Sequence, residues 1–311
     1  MLCRFSRRFP NYLAAILDKG EGLKRNFREE TGTDLLTAGL LGLSTFGIYV
    51  DYPDEPTTGA DMEWVFISPK DVGGGRYLRL LIQAKRAKRR TLKSSVYWFY
   101  DHLDHLEGKQ AEALVDYAAS KTAAGESTLP LYAFYHPKSA LCGPSMGLPS
   151  VEGINFIFAA HVAKVVKGGC SLPDKKLDRW RKFFMPLSDF LCFPASIHRG
   201  VMSNILALSF DFDGGFTIIG RNSFHPDLVA SRLLHRLNIG EATLADVPPE
   251  LGVLTDIQPS NGIPLDILAA VEGTAGHAEK RRPERIRVIF VSQASSEDEG
   301  LRAAIGRVGQ S

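Results

Sequence analysis

Asp61 and Glu63 lie in "TTGADMEWVFI", a stretch otherwise suited to a buried strand. The next such stretch, "YLRLLIQAKRAKRR", ends in Gln83 and Lys85 with further cations directly behind. Buried charges are costly unless they pair with one another or hold a metal ion. Side chains of a strand repeat every two residues, so Asp61 and Glu63 share a face, and so do Gln83 and Lys85. Paired positions in an antiparallel hairpin sum to a constant, and with Ile67 opposite Tyr77, Asp61 falls opposite Gln83. The Asp61 carboxylate, the Gln83 amide oxygen and the Ala84 backbone carbonyl are hard oxygen donors of the kind Mg²⁺ or Mn²⁺ takes. A lysine beside such an ion, here Lys85, assists a water or neutralises charge growing on a phosphate. The plain alternative is an exposed hairpin with scattered ion pairs. The flanking runs "WVFI" and "LRLLI" argue instead that both strands are buried, where a lysine needs a partner.

These two strands have to be held by the elements around them. Residues 11–42 read as helix in two pieces, broken near Gly20 and Gly22, with a cap for the second piece at Thr31 or Thr33. "FGIYVDY" reads as a strand, "SPKDVGGGR" as the turn of the hairpin, "KQAEALVDYAAS" (109–120) as a helix and "LPLYAFYH" (129–136) as a strand. This order predicts an α/β sandwich with a mixed sheet. Further on, "INFIFAAHVAKVVK" suits a strand running into a helix, or one helix. "LDRWRKFFMPLSDFLCF" suits a helix up to about Pro186, "PDLVASRLLHRL" a helix and "RIRVIFVSQ" a late strand. The acidic pair Asp211 and Asp213 reads as a turn, and residues 241–284 read as mobile.

Composition sets wider bounds. The 311 residues are 44% hydrophobic and 23% charged, which suits a globular protein with a real core. A net charge of +2 decides little, but basic residues crowd into 85–93 and again into 175–182. Cys3, Cys142, Cys170 and Cys192 lie far apart with no CxxC spacing, so they are expected as reduced thiols in the cytoplasm. No apolar run is long enough for a bilayer, and the basic-then-apolar N-terminus reads as a folded helix. "VGGGR" lacks the lysine and serine of a phosphate loop.

The spacing Asp61 … Gln83-Ala84-Lys85, with a helix carrying Glu29 and Glu30 before it and helix 109–120 after it, resembles the PD-(D/E)XK nuclease superfamily. More narrowly, "TGADMEWVFI … LLIQAKR … LVDYA … LPLYAFYH" is similar to a bacterial domain-of-unknown-function family linked with anti-phage defence. The resemblance is firm over residues 25–137 and weaker over 150–195. It implies a restriction-endonuclease-like core and a divalent-metal-dependent nuclease using Asp61, Gln83 and Lys85. Glu63 would be an added ligand, and Glu30, rather than Glu29, the acid supplied by the helix. Gln83 stands where Glu or Asp is usual, and an amide binds Mg²⁺ less strongly. Gln110 and Tyr117, seven apart on one helix, would support the site.

Arg86, Lys88, Arg89 and Arg90 follow Lys85 directly and are expected to grip a nucleic-acid backbone independently of sequence, DNA ahead of RNA. Residues 1–140 are expected to form the nuclease-like core and 141–311 an α/β extension packed on it. The extension leaves room for a partner subunit or homo-oligomer that activates the enzyme. A second reading keeps the fold but makes the chain a catalytically silent module that binds nucleic acid or nucleotide.

Overall fold

A computed structural model describes residues 2–23, 27–51, 59–69, 71, 73–92, 94–192, 224–240, 257–273 and 285–292. The chain opens with helices α1 (Leu2–Gly20) and α2 (Glu29–Leu41), crosses strand β1 (Ile48–Asp51), and enters β2 (Met62–Ser68) and β3 (Arg76–Arg86). A small separate hairpin, β4 (Lys88–Leu92) and β5 (Ser95–Phe99), precedes α3 (Lys109–Ala123) and β6 (Thr128–Tyr135). Then come β7 (Ile154–Phe158), α4 (Ala159–Val166), α5 (Leu177–Trp180), β8 (Met185–Pro186) and α6 (Leu187–Leu191). The last described elements are α7 (Pro226–Gly240), β9 (Ser260–Asn261), α8 (Leu265–Glu272) and β10 (Ile286–Val291).

One mixed sheet runs in the order β1-β10-β2-β3-β6-β7-β8, with β9 paired to the start of β3. β10 lies parallel to β2 and β3 parallel to β6, and the other neighbours along this order are antiparallel. The β2–β3 register places Ile67 opposite Tyr77, as the sequence predicts. Both strands are buried along nearly their whole length, because helices cover both faces of the sheet. Even-numbered residues of β3 (Leu78, Leu80, Ile82, Ala84) join Trp64 and Phe66 in a core with α1, α2, α6 and α7. Odd-numbered Leu81 joins Tyr132 and Phe134 in a second core with α3, α4 and α5. Val65, Ile67 and Tyr77 close a third against α8. Full burial of each large apolar side chain in these layers stabilises the fold by about 1.5–3 kcal/mol.

Several expectations change here. No sheet boundary falls near residue 140: β7, β8 and β10 all lie beyond it and hydrogen-bond into the same sheet. The helix expected up to Pro186 is short, because Met185 is extended ahead of a proline and pairs with Phe156 of β7. α2 starts at Glu29, so Thr33 is inside the helix rather than its cap, with Oγ1 3.2 Å from the buried Tyr135 hydroxyl. Cys3 and Cys192 are joined as a disulfide linking α1 to the end of α6, while Cys142 and Cys170 are free. The expected thiol state fails for that pair because folding brings residues 189 apart in sequence to a Cα separation of 4.4 Å. Asp211, Asp213 and the stretches 241–256 and 274–284 lie outside the described residues, while 257–273, part of the stretch read as mobile, carries β9 and α8.

Candidate active site

β2 begins at Met62, opposite Ile82, so Gln83 to Arg86 run past its end and pair only with β6. The last ladder bond on that side is from Asp61 N–H to the Ile82 carbonyl, at 2.9 Å. The N–H and C=O of one strand residue point to the same side, so Ala84 directs both into the space beyond β2. Asp61 fills that space. Its Oδ2 accepts from the Ala84 N–H at 2.7 Å and from Gln83 Nε2 at 2.5 Å. The same Nε2 lies 3.3 Å from the Ala84 carbonyl oxygen, while Gln83 Oε1 is buried with no hydrogen-bond partner among the described residues. A half-turn of the amide exchanges the two atoms and brings Oε1 to face Asp61 and the Ala84 carbonyl. The residues fit a divalent cation: the donors are all oxygen, one is a carboxylate, and one is a buried acceptor left without a proton.

Lys85 lies on the same face of β3 and is 3% exposed. Its Nζ lies 3.4 Å from Gln110 Oε1 and 3.8 Å from Glu29 Oε2. Gln110 comes from the first turn of α3 and Glu29 from the first residue of α2. Gly59 lets these parts meet, because its φ is +77° and a Cβ there would stand 3.0 Å from the Gln110 carbonyl oxygen. A side chain would push the chain leading to Asp61 off α3. Burial pushes the Asp61 carboxyl up to about 6, opposed by the Ala84 hydrogen bond and the charge of Lys85, and reinforced by Glu29 and Glu30. A carboxyl desolvated among carboxylates is one that a cation relieves.

The structure brings together Asp61, Gln83, Ala84, Lys85 and Gln110, and it leaves other expected residues elsewhere. Glu63 is fully buried among arginines, 3.1 Å from Arg79 Nε, 2.7 Å from Arg285 and 3.4 Å from Arg287. The parallel register of β10 sets Arg287 directly beside it. Glu30, expected to face the site, turns outward to Arg28, 3.0 Å away, and Glu29 takes the inward position instead. Tyr117 sits two turns along α3, with Lys121 Nζ 5.8 Å from its ring centroid. Arg86 is buried on the opposite face of β3 from Lys85, bound to Glu21 and the Phe27 carbonyl, and cannot grip a ligand. Lys88 and Arg90 both reach Asp101. Arg89 is exposed and makes no ion pair among the described residues. These three lie on β4, a strand paired with aromatic β5. The second basic run joins them, since Lys176 Nζ stands 4.1 Å over the Tyr97 ring.

A family model described as "Family of unknown function (DUF6615)" matches residues 2–297. The chain belongs to that family. No curated protein and no solved structure matches it. The matched span runs from α1 through β10, so the strands after residue 140 are part of what defines DUF6615. Among the described residues no helix is long and apolar enough to cross a membrane.

Two features of this member escape a reading of motifs. Tyr132, the β6 partner of Gln83, is buried at the site, and only the strand parity of "LPLYAFYH" could have flagged it. Asp71, His225 and Asp227 offer ligand atoms within 4.8 Å of one another. There His225 Nε2 meets Asp71 Oδ2 at 3.1 Å, Nδ1 accepts from the Asp227 N–H at 3.3 Å, and Arg76 lies 2.7 Å from Asp227. Both ring nitrogens are thus engaged in anchoring the start of α7 to the β2–β3 turn.

Proposed function

We propose that this chain is a nuclease that hydrolyses phosphodiester bonds with Mg²⁺ or Mn²⁺ held by Asp61, Gln83 and the Ala84 carbonyl. One observation carries the reading. Past the end of β2, Asp61 Oδ2, the Gln83 amide and the Ala84 carbonyl converge beside Lys85, with Gln83 Oε1 buried and unpaired among the described residues. The resemblance of Asp61 … Gln83-Ala84-Lys85 to PD-(D/E)XK nucleases supports the same assignment, as does the order helix, hairpin, helix, strand around the site. When bound, the cation supplies Lewis-acid polarisation of the phosphate. Lys85 Nζ, poised between Gln110 and Glu29, orients the attacking water and offsets charge growing on the phosphoryl oxygens. Asp61 and Gln83 would hold the cation, and Glu29 aims the lysine. Arg89, with Lys88 and Arg90 exchanging Asp101 for phosphate, holds the backbone of the substrate, DNA ahead of RNA.

A silent binding module is the second reading. It is favoured by Gln83 presenting nitrogen rather than oxygen to Asp61. Purified protein incubated with supercoiled plasmid, single-stranded DNA and RNA, in Mg²⁺, Mn²⁺ or EDTA, separates the two. Cleavage that needs the cation and falls at least about 100-fold in Lys85→Ala, with binding within a few-fold, is the expected result. Salt-sensitive binding by both proteins with no cutting by either would favour the silent module, or an enzyme awaiting an activating partner in the cytoplasm.

A further inference from the structure

Tyr132 lies beside Gln83 in the parallel β3–β6 ladder, on the same face of the sheet. Its side chain is fully buried and its hydroxyl has no hydrogen-bond partner among the described residues. An unpaired buried hydroxyl costs stability that a phenylalanine of the same shape would not. Tyr135, three residues on and facing the other core, shows the ordinary arrangement: its hydroxyl meets Thr33 Oγ1 at 3.2 Å. Burial first, then the nearby carboxylates of Asp61 and Glu29, raise the Tyr132 pKa well above its ordinary value. A carboxylate has no proton to give, so a phenol beside it can only donate.

Hydrogen-bond accounting at Asp61 gives that donor a use. In the arrangement seen, Asp61 Oδ2 has two donors, the Ala84 N–H and Gln83 Nε2. Turning the Gln83 amide oxygen toward a bound cation withdraws one of them. We propose that Tyr132 is a positioning residue for the cation site, its hydroxyl donating to the Asp61 carboxylate once Gln83 has turned. The inference rests on the cation site proposed above. Ligating carboxylates are held by such outer hydrogen bonds, whose loss lowers metal affinity by about 10–100-fold.

Tyr132→Phe tests it without any cleavage assay. Thermal unfolding of the cation-free protein and Mn²⁺ titration by calorimetry are measured for the wild type, Tyr132→Phe, Asp61→Asn and Thr33→Val. Tyr132→Phe is expected to melt at or above the wild-type temperature and to bind Mn²⁺ about tenfold more weakly or worse. Thr33→Val, which disturbs the neighbouring tyrosine instead, should bind Mn²⁺ as the wild type does. Unchanged Mn²⁺ affinity in Tyr132→Phe overturns the proposal, and so does a lowered melting temperature, which would mark the hydroxyl as structural. If the wild type takes up no Mn²⁺, or Asp61→Asn binds it equally well, the cation site itself falls and this role with it.

Discussion

Successive residues of an α-helix point about 100° apart, so the two glutamates that open α2 cannot both look at the sheet. Glu29 Oε2 comes within 3.8 Å of Lys85, while the Glu30 side chain is 62% exposed and paired with Arg28. Both gain from the partial positive charge at the helix N-terminus, but only one touches the site. Sequence alone could not fix that phase, because the expected cap at Thr31 or Thr33 lies two to four residues past the true start. Glu29→Gln is expected to lower cation-dependent cleavage by about 10-fold or more, since Lys85 loses the carboxylate that aims it. Glu30→Gln should leave cleavage within about twofold, surface pairs of this kind being worth little. Equal losses in the two variants would mean that the α2 phase seen here is not the working one.

At the scale of elements, β2 and β10 are clipped together by charge. Glu63 lies opposite Arg287 in the register and is reached by Arg79, Arg285 and Arg287, all nearly inaccessible. The pattern D-x-E expects Glu63 on the face of Asp61, and in β2 Glu63 stands opposite Leu81. What it could not reveal is that a strand more than 200 residues later brings arginines to meet it. Removing one partner of a buried ion cluster is strongly destabilising, by about 3–5 kcal/mol. Glu63→Gln is therefore expected to lower the unfolding free energy measured in urea by that order, while its folded fraction binds Mn²⁺ like the wild type. Weakened Mn²⁺ binding in folded protein would restore Glu63 as a ligand. The basic run divides in the same way, by strand parity and by available acids. Arg89→Gln should reduce the slope of log K against log salt for a DNA oligonucleotide by about 1. Arg86→Gln should leave that slope alone and destabilise the fold, because its guanidinium is spent on Glu21 and the Phe27 carbonyl.

Over the whole molecule, what was legible in the sequence was local. The hairpin register, the converging Asp61, Gln83 and Lys85, the helix at 109–120 and the strand at 129–136 all follow from short-range patterns. What was hidden depends on contacts distant in sequence: β10 inserted between β1 and β2, the Cys3–Cys192 link, and the unity of the sheet across residue 140. Trp64 makes that last point quantitative. It is fully buried two residues from the site strand's start, and its ring packs on Phe156, Phe190 and Phe290 with centroids 5.5, 6.4 and 5.5 Å away. All three partners lie beyond residue 140. A chain ending there would bare one edge of β2 and one of β6, and would expose Trp64 together with the face that α6 and α7 cover. Unpaired edges flanked by apolar surface drive aggregation. The 1–140 fragment, carrying Trp98→Phe so that Trp64 alone emits, is thus expected to be insoluble, or to lack a cooperative melt and to show the emission of a solvated indole. A soluble fragment that melts cooperatively and binds Mn²⁺ would instead restore a nuclease-like core independent of its C-terminal half. It would also leave β7, β8 and β10 free to serve as the surface through which a partner controls that core.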